Sequence, residues 1–70
     1  MTFTERVAAV AAQKPSPGTL AQLEALLEEA RDIIVTDRFR KPITLIAYSQ
    51  IEIIHKHLGR HHSIIEQSKP

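Results

Sequence analysis

Between Leu20 and Val35 the apolar positions are Leu20, Leu23, Leu26, Leu27, Ala30, Ile33 and Ile34. At helical spacing they fall on one arc of roughly 140°. Glu24, Glu28, Glu29, Arg31 and Asp32 take the opposite side, so an amphipathic helix is expected over residues 17–35. Its start is marked by Ser16 and Pro17, an N-cap and a first-turn proline whose missing N–H would have no partner there anyway. The stretch before it, QKPSPG at 13–18, has the composition of a turn.

A second periodic segment begins at Pro42, where Ile43, Ala47, Ile51, Ile54 and Leu58 recur at helical spacing. Gly59 reads as a left-handed terminator, and His55, Lys56 and His57 place positive charge in the last turn. A helix is therefore expected over 42–58. The segment ITLIAYSQIEII is rich in β-branched residues, but it does not alternate cleanly, and its candidate turn Tyr48-Ser49-Gln50 lacks Gly, Asn or Asp. At the other end of the chain Thr2 and Glu5 form a T-x-x-E capping box, which predicts a short helix over 2–12. Residues 60–70 are mostly polar apart from Ile64 and Ile65, and a frayed tail is expected there. Two helices of about 25 Å joined by a short loop favour an antiparallel pair. The expected fold is all-α, a single small domain over 1–70: an antiparallel helical hairpin with a short N-terminal helix.

The faces divide into two sets. Leu20, Leu23, Leu27, Ile34, Ile43, Ile51 and Ile54 are expected to form the core between the long helices. Ile46 and Ile53 form a second stripe, separated from the first by Gln50 and His57, with Leu26 and Ile33 on the flank of the preceding helix. These six residues are the candidate partner-binding surface, because an apolar patch left uncovered usually marks an interface. Either the N-terminal helix folds back over this stripe, for which Val7 and Val10 offer few large side chains, or a second protein covers it.

Composition sharpens that choice. A 70-residue chain buries a modest share of its surface and is marginal alone. The absence of cysteine removes disulfides and thiolate metal sites as supports. Nine Lys and Arg against eight Asp and Glu give a net charge of +1, far from a dedicated nucleic-acid binder. Residues 1–12 have neither a signal-peptide pattern nor a membrane span, so a cytoplasmic protein is the default expectation.

Candidate chemistry is sparse. His55, His57, His61 and His62 lie within eight residues, but Gly59 is expected to end the helix between His57 and His61. His55 points about 160° away from His57, so a solvated helix cap is favoured over a metal site. Ser49, Ser63 and Thr44 have no expected pocket that would exclude water, and Glu24, Glu28, Glu29 and Asp32 read as a solvated face. No phosphate or calcium loop is present. The expectation is a non-enzyme with no cofactor and no metal. Arg38, Phe39, Arg40 and Lys41 form a basic run with one aromatic, which keeps a small DNA-binding regulator as an alternative. The following helix, however, lacks the early polar side chains that read bases, and neither a nucleic-acid nor a membrane partner is expected. A self-associating helical protein, possible homo-oligomer included, is the other alternative.

The length, the Met1-Thr2-x-Thr4 opening, the Leu-rich helix LAQLEALLEEA, the short loop and the helix ending IEIIHKHLGRHH resemble the YscE-like small E components of type III secretion systems over most of residues 19–62. That resemblance implies a helical hairpin acting as a co-chaperone in protein transport and virulence. It would stabilise a TPR-like chaperone, and the pair would keep the needle subunit monomeric in the cytosol. The hairpin itself need not touch the needle subunit; its apolar stripe would bind the chaperone.

Overall fold

The computed structural model describes residues 1–68, which form three helices and no strand: α1 (Phe3–Ala11), α2 (Pro17–Thr36) and α3 (Lys41–Gln67). Each start has a local cause. The Thr2 hydroxyl accepts the Glu5 N–H at 3.2 Å, and the Glu5 carboxylate accepts the Thr2 N–H at 3.1 Å, completing the capping box. These bonds, the backbone one first, hold the Glu5 carboxyl below its ordinary pKa. At α2, Ser16 Oγ accepts the Thr19 N–H at 3.2 Å, with Pro17 in the first turn. The buried Thr19 hydroxyl then donates to the Lys14 carbonyl at 2.8 Å, tying the proline-rich turn to the helix it precedes. A tight turn over 37–40, closed by the Arg40 N–H donating to the Asp37 carbonyl at 2.7 Å, separates α2 from α3.

The tail is the main departure from expectation. Gly59 does not terminate α3, which continues to Gln67; only residues 69 and 70 of the expected frayed stretch lie outside the described residues. No glycine has positive φ, so Gly59 sits in ordinary helical geometry. The stripe of Ile54, Leu58, His61 and Ile65 carries the helix past the glycine, because these side chains are buried or half-buried against the rest of the molecule. Ile64 and Ile65 border the Lys14–Pro17 turn, so tertiary packing outweighs the roughly 1 kcal/mol helix penalty of a single glycine.

The most extensive packing is between α2 and α3, with α1 lying against both. Val7, Leu23, Leu26, Leu27 and Ile54 form the buried core, flanked by Phe3, Val10, Ile51 and Leu58. Leu23, Leu27 and Ile54 are buried, while Leu20, Ile34 and Ile51 are half-buried. Two polar contacts hold α1. Arg6 donates to both oxygens of the Glu29 carboxylate at 2.7 and 2.8 Å, which raises the Arg6 pKa further. The buried His61 Nε2–H donates to the Ala11 carbonyl at 3.1 Å; since a carbonyl only accepts, this fixes the tautomer and leaves Nδ1 buried without a partner.

The molecule is elongated, 48 × 20 × 15 Å. Its accessible surface of 5052 Å² exceeds the roughly 4,400 Å² expected of a compact 7.9 kDa monomer. Two long helices and one short one thus leave more surface uncovered than a typical folded monomer of the same mass.

Candidate protein interface

Two of the six residues expected at a partner surface are buried instead. Leu26 is 5% exposed because α1 covers it, placing it in one core with Val7, and Gln50 is 6% exposed on the inward side of α3. In the opposite direction, Ile43, expected in the core, is 39% exposed, bordering an open cleft that it shares with Ile33 of α2. Ile33 and His57 are half-buried. Ile46 and Ile53 are 52% and 38% exposed, so α1 leaves this row uncovered. Ile64 continues it along α3, the three side chains lying within about 20° of one another around the helix.

At the loop end the row runs into a concave surface. A cleft of about 310 Å³ is lined by Thr2, Phe3, Thr4, Ile33, Ile43, Ile46 and Ala47, so its walls are apolar apart from two threonines. Phe3 reaches it because the capping box fixes the start of α1 directly before that ring. Ile43 also borders a second, shallower depression with Phe39, Arg40, Lys41 and Pro42. Phe39 is 86% exposed, with the Arg38 guanidinium 4.9 Å from its ring centroid. Leu45 and Tyr48 add exposed apolar surface on the same turns of α3.

Phe3, Phe39, Leu45 and Tyr48 are not among the six residues expected at a partner surface, Phe39 having been placed only in the basic run Arg38–Lys41. Phe39 was legible as a large aromatic in a polar turn with no periodic partner. The role of Phe3 depends on where α1 docks, which no local pattern encodes.

The histidines do not act as one group. His55 and His62 are exposed, His57 is half-buried, and His61 is enclosed with its bond to Ala11, so the solvated-cap reading does not hold for His61. Because α3 runs unbroken, His57 and His61 share a face, yet among the described residues no three His, Asp or Glu side chains are grouped for a metal ion. Glu24 and Asp32 are exposed, Glu28 pairs loosely with Arg31 at 3.7 Å, and Glu29 is engaged by Arg6. What the loop-end surface offers is shape and apolar contact, the properties that seat side chains of another molecule. No helix among the described residues is long and apolar enough to cross a membrane. Comparison with protein-family models, with curated proteins and with solved structures gives no match.

Proposed function

We propose that this chain is a protein-binding helical module in which α2 and α3 form an antiparallel hairpin, α1 braces its core, and the Ile46–Ile53 row with the adjoining cleft seats a partner. The antiparallel reading is supported by both ends of the pair: Ile33 late in α2 lines one cleft with Ile43 and Ala47 early in α3, while the turn before α2 lines another with Ile64 and Ile65. The observation that carries the function is the isoleucine row. Ile46 and Ile53 are large apolar side chains left to solvent, because α1 packs its Val7 and Val10 on the core instead of over them.

The more specific reading is a cytoplasmic co-chaperone that stabilises a TPR-like chaperone of a type III needle subunit. It draws on the resemblance of the opening and of the two long helices, and it agrees with a small helical module that is better covered by a companion than left alone. The test is co-expression of the tagged chain with such a chaperone. Wild type should retain the chaperone in soluble form, and Ile46→Asp/Ile53→Asp should lose it while keeping its far-UV CD spectrum. Equal retention by the double variant would refute the assigned surface.

A further inference from the structure

We infer that the α2–α3 loop end selects an acidic amphipathic helix, an inference that rests on the protein-binding reading and adds the partner's chemistry. Ile43 lines both concavities, so the two adjoin at this side chain and together make a track from Phe3 and Ile46 past Ile43 to Phe39. The first part is apolar. The second is walled by Arg40 and Lys41, and Arg38 lies over the Phe39 ring beside it. Neither part has an acidic lining residue. The N-terminus of α3 points the same sign of field into this region, since it has no side-chain cap and no acidic residue in its first turn. A helix that places bulky apolar residues at i, i+3 or i+4, and i+7 into the track, with Asp and Glu flanking them, matches both halves of the surface.

Two other occupants fit less well. A second copy joined through this surface about a two-fold axis would bring two sets of Arg38, Arg40 and Lys41 into one interface with no acidic lining residue to pair with them. A nucleic acid would meet phosphate-binding groups only at the Phe39 end, and Ile33, Ile43, Ile46 and Ala47 would contribute nothing to its backbone.

The experiment is fluorescence anisotropy of the full chain with two labelled helical peptides that share the same apolar anchors, one with Glu and one with Lys on the flanks, and with a labelled single-stranded oligonucleotide. The Glu peptide should bind at least about tenfold more tightly than the Lys peptide, with affinity falling as salt rises. Arg40→Glu/Lys41→Glu should reverse that order, and Ile43→Asp should abolish binding of both. Equal affinity for the two peptides, preference for the oligonucleotide, or a dimer that disappears in Ile43→Asp would each overturn the inference. Ile53 lies outside both concavities, which separates this inference from the broader function. If Ile53→Asp releases the chaperone but the Glu peptide does not bind, the loop-end inference falls and the protein-binding reading stands.

Discussion

Replacing Gly59 by Ala should stabilise the protein. Gly59 lies inside α3 with a negative φ, its side is exposed, and a Cβ built there meets nothing within 4 Å. Alanine therefore adds no clash and relieves the cost of glycine in a helix, about 0.8–1.0 kcal/mol in model systems, much of it unfolded-state entropy. A gain of about 0.5–1 kcal/mol is a sizeable fraction of the roughly 4–10 kcal/mol available to a domain of this length. It corresponds to a rise of about 3–8 °C in Tm for a chain of this size. Thermal and urea unfolding followed by far-UV CD would measure it. A left-handed Gly59 at the end of a shorter helix gives the opposite sign, because alanine there costs about 1–2 kcal/mol. A fall in Tm would refute the continuous α3 and, with it, the buried setting of His61.

Adjacent isoleucines give a second comparison. Ile54→Ala, at a position with no exposure, should cost about 2–5 kcal/mol, and Ile53→Ala, at 38% exposure, less than about 1 kcal/mol; similar costs in urea unfolding would contradict the assigned face. His61→Ala should cost about 1–3 kcal/mol by stranding the Ala11 carbonyl, with amide exchange rising most in α1. Glu5 has a folded pKa below its unfolded value, so its capping contribution is complete above the ordinary glutamate range and is lost as pH falls through the lowered value. Glu5→Gln should therefore flatten the acid limb of α1 protection measured by hydrogen exchange. Arg6→Ala should lower Tm slightly at low salt and not at high salt, since the pair with Glu29 is half-exposed.

The helix starts were legible because their signals are local: Thr2 with Glu5, Ser16 with Pro17, and Pro42 all act within a few residues. The amphipathic face of α2 was equally plain, since its leucines recur without interruption. What escaped was tertiary. Gly59 carries the usual sign of a helix end, and only the continuation of the stripe through Leu58, His61 and Ile65 reveals that packing overrides it. Leu26 reads as a flank residue until α1 lies over it, and that docking brings together residues far apart in sequence, Val7 against Leu26 and Arg6 against Glu29, 23 positions away. Ile43 shares the spacing of the core stripe but sits at its start on the rim of an open cleft, where it is 39% exposed. The proposed partner surface was therefore half visible: Ile46 and Ile53 by periodicity and Phe39 as an aromatic in a polar turn, Phe3 only once the chain is folded.

On the proposed reading, apolar side chains on α3 stay open to solvent until another protein covers them. Isoleucine-methyl NMR of the isolated protein with a soluble paramagnetic probe tests it most directly. Ile43, Ile46 and Ile53 should broaden strongly, Ile54 should be unaffected, and Ile46 and Ile53 should become protected when a partner is bound. A monomer in which Ile46 and Ile53 are as shielded as Ile54 would contradict it.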